Sequence, residues 1–357
     1  MLQMDGDAYV ERVRMKNHRG ILVVLLLLPL CTSEGGTGVG KYAGEFLAIG
    51  VGGRALGMGG ASVALAEDVT AGFWNPAGLA RIDYPQVALM HNEQFGSLLN
   101  HDYGAVAIPI GPMTSLGISI IRLGIDDIAD TRAAGVDANG NPTYDLTQFS
   151  RIDPNRVSYF NAADWAFLFT YARRVSPEFS YGANLKLLRR SIADHAATGV
   201  GIDVGAWYMP MEGLFLGANL QDITTTFLAW DTGTNELISP TMKVGGAYHV
   251  EALGGTFIPA LDLDVRFENR QTASMFHLGL VSADAHTGLE YQFKKLVSLR
   301  AGYSDVKQFT LGAGLRLPKV NIDYSFAKFG GENGIADSHR ISLVFSLEAD
   351  QFRRPGE

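Results

Sequence analysis

The chain has 357 residues, among them 42 glycines and a single cysteine, with 18% charged side chains and a formal net charge of −8 at pH 7. That length admits two ordinary domains or one large all-β domain. One cysteine excludes a disulfide framework and a cysteine-built zinc site, and an acidic chain with no basic stripe beyond its N-terminus excludes nucleic acid as a partner.

The N-terminus comes first. Lys16, His18 and Arg19 precede the apolar run Ile21 to Leu30, and the small polar Cys31, Thr32 and Ser33 follow it. A helix needs roughly 20 apolar residues to cross a bilayer, and this run is about half that. Residues 1–33 are therefore predicted to be an export signal cleaved near Ser33, with Met15 a more natural start than Met1. A lipid anchor on Cys31 is the rival reading, but such a signal wants a small residue where Leu30 stands. Next, Gly35 to Tyr42 matches the Gly-x4-Gly-Lys part of a phosphate-binding loop, yet Tyr42 replaces the Ser or Thr that would meet magnesium, and no strand precedes it. The glycines between Gly50 and Gly60 lack the βαβ unit of a dinucleotide site. Residues Gly72 to Ala80, GFWNPAGLA, crowd turn-formers between apolar Phe73, Trp74 and Leu79. Asn75-Pro76 initiates a turn, Pro76 fixes its own φ near about −65°, and Gly78 permits a second reversal. Such rigid irregular backbone is expected to pack inside something.

From residue 86 onward apolar and polar side chains alternate, the period-2 signature of strands. Fourteen segments are predicted: about 86–95, 101–111, 113–126, 162–174, 179–193, 197–210, 213–222, 239–250, 255–270, 284–294, 297–305, 308–318, 319–328 and 338–348. In LDLDVRFE, Leu261, Leu263, Val265 and Phe267 share one face and Asp262, Asp264, Arg266 and Glu268 the other. Tight connections such as Gly111-Pro112, Lys294-Lys295 and Pro318-Lys319 alternate with mostly longer ones, about 127–161, 223–238, 271–283 and 329–337. A soluble sandwich or propeller also alternates. Here the polar face mixes small residues with charges of both signs, Lys186, Arg190, Asp203, Asp262, Asp264, Arg266, Glu290, Arg300, Arg316, Asp323 and Arg340, as a wet lumen would, and aromatic residues recur near segment ends. The pattern predicts an all-β, 14-stranded antiparallel transmembrane β-barrel of a bacterial outer membrane, in which closure leaves no unpaired edge in lipid.

The stretch Gly44 to Ala80 resembles the N-terminal signature of the PorV/PorQ family, outer-membrane proteins related in fold to the FadL long-chain fatty acid transporters. The matching residues include Arg54, Gly57, Gly59, Gly60, Asp68, Trp74, Asn75, Pro76, Ala77 and Gly78. FadL-like proteins carry a comparable Asn-Pro-Ala motif in an N-terminal hatch. The resemblance implies a plug at 34–85, a barrel at 86–348 and a short tail at 349–357. The bland alternative is a periplasmic segment before the first strand. The charged tail after the last strand departs from barrels that end on an aromatic residue, which puts the assembly signal near Phe345.

No enzyme, cofactor or metal is predicted. Asp262 and Asp264 could form an acid/base pair, but no nucleophile or metal set accompanies them, and the eight histidines are scattered. Two functions remain. The resemblance favours a docking component of type IX-like protein secretion, partnered by translocon subunits or secreted cargo. The alternative is a FadL-like passive transporter of hydrophobic or amphiphilic small molecules, such as a long-chain amphiphile, and outer-membrane lipid surrounds the barrel in either reading.

Overall fold

The computed structural model describes residues 45–94, 98–145, 147–268, 274–304, 308–329 and 337–354. The export signal with Cys31, the Gly35 to Tyr42 stretch, residues 34–44 of the expected plug and the last three residues of the tail lie outside them.

The alternating segments form β1 (Gln86–Gln94), β2 (Leu99–Pro109), β3 (Thr114–Asp130), β4 (Ser158–Ser176), β5 (Phe179–Ile192), β6 (His195–Met211), β7 (Leu214–Gln221 and Thr226–Trp230), β8 (Asn235–Ile238 and Thr241–Tyr248), β9 (Gly255–Arg266), β10 (Val281–Phe293), β11 (Val297–Tyr303), β12 (Gln308–Leu317), β13 (Val320–Phe329) and β14 (Ser338–Ser346). Each pairs antiparallel with its neighbours in sequence, and β1 pairs with both β2 and β14. The sheet is thus a closed barrel of 14 strands. No edge is left to satisfy, as a strand wall in hydrocarbon requires.

The polarity of the wall is inverted relative to a soluble sheet. Leu261, Leu299 and Leu311 face outward at 57%, 59% and 58% exposure, while Asp203, Glu290 and Arg300 face inward at 1%, 0% and 3%. Water would not tolerate that outer face; lipid favours it. Aromatic pairs sit at both rims, with Phe257 against Tyr291 at 4.5 Å and Tyr303 against Phe309 at 5.0 Å between ring centroids, where amphipathic rings match the headgroup level.

One rim carries tight turns. Leu253-Gly254 and Lys294-Lys295 all adopt positive φ, the conformation whose twist matches two-residue hairpins. We refer to this as the turn end and to the other as the loop end. There the structure differs from the sequence expectation in three places, the smallest being Phe276–Leu278, a short strand within the loop expected at 271–283 that pairs with the start of β10 at Val281. The loop expected at 127–161 is shorter, because β3 runs on to Asp130 and β4 begins at Ser158. Its interior carries a two-stranded ladder, Gly135–Val136 with Arg151–Ile152, and Asp137 has its carboxyl lowered by the Asn141 backbone N–H and side-chain amide. The expected loop at 223–238 is largely strand. After Asp222 and Thr225, both at positive φ, β7 resumes at Thr226 and pairs again with β6, whose Val204–Tyr208 half it has already met. A bulge of this kind inserts unpaired residues and breaks the alternation without ending the strand.

Candidate functional site

The lumen is occupied. Residues Glu45 to Asp83 fold within the barrel as a chain of short elements: a 3-10 turn at Glu45–Ile49, helix α1 at Gly53–Gly57, helix α2 at Ala71–Trp74 and a 3-10 turn at Pro76–Arg81. None is long enough to be stable alone. Each is held by the wall. Gly53 N–H donates to Ser342 Oγ at 2.8 Å on β14, Ser62 and Val63 N–H donate to Asp262 Oδ2 at 2.6 and 2.8 Å on β9, and Asn219 on β7 donates to Trp74 O at 3.0 Å. Val51, Leu56, Phe73, Trp74, Leu79 and Ile82 form its apolar core with Met90, Tyr103, Ile121 and Leu168 from β1 to β4.

The Asn75-Pro76-Ala77 turn is the anchor. Asn75, fully buried, caps the 3-10 turn by accepting Ala77 N–H at 3.2 Å, and its amide donates to Val63 O at 2.9 Å and to Ala206 O of β6 at 3.0 Å. Pro76 follows as the first residue of that turn, where its missing N–H costs nothing. The wall opposite lacks side chains because there is no room for any. A Cβ on Gly205 would lie 2.3 Å from Asn75 Oδ1, and one on Gly182 would lie 2.6 Å from the Pro76 carbonyl. Gly78 is equally confined, its Cβ position 1.8 Å from Ala66 O. Farther round, Gly59 at φ +67° sits against the Tyr303 backbone, Gly57 O accepts Thr310 Oγ1 at 3.1 Å, Gly60 approaches His286, and Asp68 accepts Thr70 N–H at 2.8 Å to open the turn into α2. Asn75→Ala is expected to cost about 1–2 kcal/mol, the range for a lost cap, and to leave the barrel closed. The readout is protease cleavage within 45–83 of the detergent-solubilised protein; unchanged protection would dismiss the anchor.

The expected wet lumen is a packed one. Most of the predicted inward charges are paired in contacts that tie strand to strand and wall to inner segment, Arg340 being the exception among the described residues. Glu290 takes Arg54 of α1 on one oxygen at 2.8 Å and Arg300 on the other at 2.9 Å; Arg300 also reaches Asp323 at 2.7 Å, and Arg316 lies 4.0 Å from Glu290. Lys186 lies 3.0 Å from Asp203 and 2.7 Å from Asp222. Arg190 meets Asp164 at 2.7 Å and Glu236 at 3.4 Å, Arg266 meets Asp284 at 2.5 Å, and Asp264 pairs with Lys243 and lies 3.4 Å from His286. Asp262 and Asp264 have different partners, Asp262 taking the Ser62 and Val63 amides on Oδ2 and Asp264 taking Lys243. The physical reason is desolvation: inside a filled barrel a charge must find its opposite.

Sequence reasoning missed the tail. Arg354, 1% exposed, turns back under the turn end, donates to Ala80 O at 3.0 Å and Ile82 O at 2.6 Å, and reaches Gly111 O and Ser115 Oγ on the β2–β3 hairpin. It caps the carbonyls at the end of the Pro76–Arg81 turn as a cation does at a helix C-terminus. Nothing in the local sequence marks it apart from other surface arginines.

On the loop side the inner segment forms the floor of a cavity. Leu47, Ala48 and Phe73 lie beneath, Leu168 and Ile238 form apolar walls, and the paired Lys186 and Lys243 lie among the polar ones. The combination is part apolar and part charged, with each cation already neutralised.

No protein-family model and no curated protein sequence matches the chain. Its fold does match solved structures. It resembles the toluene transporter TodX of P. putida with a TM-score of 0.57 at 12% identity, over 84% of this chain and 99% of that one. The Ralstonia pickettii toluene transporter TbuX gives 0.55 at 14% identity over 83% and 98%, and a Pseudomonas aeruginosa FadL homologue gives 0.53 at 12% identity over 83% and 98%. At such identities the likeness is one of fold, and the fold is the FadL-like barrel.

Proposed function

We propose that the protein is a passive outer-membrane conduit for small hydrophobic or amphiphilic molecules, with residues 45–83 as a hatch that must shift for a solute to pass. The observation that carries this reading is the loop-side cavity whose floor is the inner segment, so that whatever binds there presses on the closure itself. Differential contact of that kind is what lets a ligand bias a two-state element. The toluene transporters of the same fold make a monoaromatic hydrocarbon the natural first probe. The secretion-docking expectation draws no support from these likenesses, and the PorV/PorQ resemblance rests on the N-terminal motif alone.

Whole cells carrying the protein are expected to take up radiolabelled toluene several-fold faster than cells without it, while the reconstituted protein shows no steady ion conductance. Leu168→Trp, which fills the cavity, is expected to remove the gain. Uptake equal to that of cells lacking the protein, or an open porin-like conductance, would overturn the conduit reading. Retention of a large secreted or membrane partner, lost on deletion of 131–157, would restore the docking one.

A further inference from the structure

We infer that the lumen wall from β13 across β14 and β1 to β2 carries a binding site for a single carboxylate, centred on Arg340. The observation is a failure of pairing. Every other inward arginine named above has a carboxylate within 4.0 Å; Arg340, 4% exposed, has none among the described residues.

Its neighbours share the deficit. In register Arg340 lies beside Ser325 of β13 and Asn92 of β1, and Asn92 beside His101 of β2. Inward side chains directly opposite on adjacent strands lie about 5 Å apart. Asn92, His101 and Ser325 are all at least nine-tenths buried. Yet Arg340 Nε, Asn92 Nδ2, both His101 ring nitrogens and Ser325 Oγ have no hydrogen-bond partner. Asn92 is oriented by Ser338, whose hydroxyl donates to Oδ1 at 3.1 Å; that bond occupies the oxygen and leaves the N–H2 end without a partner.

The chemistry of the set selects the ligand. Arginine Nε and the Asn92 amide nitrogen can only donate, and the hydroxyl and imidazole can do so. Converging donors call for an acceptor. One guanidinium among neutral donors balances one negative charge, and its planar fork suits the two oxygens of a carboxylate; a phosphate dianion would remain half compensated. Water could satisfy the neutral donors, but not the charge. The setting also suits an apolar body behind the carboxylate: buried Tyr103 follows His101 by two residues along β2, and Leu123 stands opposite His101 on β3. One inward position toward the turn end, Met90 and Ser342 receive the amides of Gly52 and Gly53, so an occupant rests on the start of α1.

This goes beyond the conduit reading and does not rest on it, since equilibrium binding can be measured whether or not anything is conducted. The full chain, purified in a non-ionic detergent and chloride-free buffer, is titrated calorimetrically with benzoate, methyl benzoate and inorganic phosphate. Benzoate is expected to bind, its methyl ester at least tenfold more weakly, and phosphate not measurably. Arg340→Gln should weaken benzoate at least tenfold, with partial recovery in Arg340→Lys. Asn92→Asp provides the second handle, for it supplies the missing carboxylate from within: the variant should melt at a higher temperature than the parent and no longer bind benzoate. Equal affinity for benzoate and its ester, benzoate binding unchanged in Arg340→Gln or Asn92→Asp, phosphate binding in its place, or no benzoate binding at all would each overturn the assignment, and none of them bears on toluene uptake.

Discussion

Glu290→Ala is expected to destabilise the protein by about 3–5 kcal/mol, the cost of breaking a buried ion pair by removing one partner. The carboxylate stands between Arg54 and Arg300, with Arg316 at 4.0 Å. Without it three guanidinium groups share Asp323 alone, and the Arg300 side chain is fully buried. The damage should fall unevenly. The backbone ladder that closes the barrel does not involve this side chain, whereas α1 is bound to β10 through it. Denaturant unfolding in detergent should shift to lower concentration, and protease should cut within 45–83 while the barrel still migrates as a folded species. Glu290→Gln, which keeps volume and some hydrogen bonding, should fall between variant and parent. A variant with parental midpoint and parental protection would mean that Arg54 and Arg300 are held by something else.

The second large effect compares the two faces of one strand. Leu261→Arg places a cation on the outer wall midway along β9 and is expected to cost about 2–4 kcal/mol if that position meets the bilayer midplane. Asp264→Ala, on the inner face, would be nearly free in a water-filled lumen. In the packed lumen it strands Lys243, and a cost of about 3 kcal/mol is expected on the same grounds as for Glu290. Folded yield and denaturant midpoint should therefore drop for both. If Asp264→Ala behaves like a substitution in an exposed loop, the interior is solvated and the pairing has no energetic weight.

How much of this was legible in the sequence follows from where each constraint acts. LDLDVRFE reads as a strand because lipid and lumen impose opposite demands on successive residues, so the alternation is written locally. The same holds for the tight turns. The second half of β7 could not be read that way, since Asp222 and Thr225 break the period with backbone conformations that their side chains do not advertise. The Asn75-Pro76 turn was legible because proline fixes its own geometry. Its seat was not: Gly182 and Gly205 look like ordinary small residues of the polar face until Pro76 is placed against them. Pairing was the least visible of all. Arg300 and Arg340 occupy equivalent inward positions on β11 and β14, and only the assembled lumen shows one held by two carboxylates and the other by none among the described residues.

The Arg354 clamp has a consequence for the order in which the molecule is made. Its bonds to Ala80 and Ile82 join positions 274 and 272 residues apart, among the longest loop closures the chain contains. Contacts of such separation are entropically the last to be rewarded. The end of the inner segment is already held from β4 and β5, where Arg174 donates to Ala80 O at 3.3 Å and Ser180 to Ala77 O at 2.9 Å. The tail therefore adds a second fastening to a segment the early strands have seated, and among the described residues it is the one bond set there that must wait until the chain has been made through Arg354.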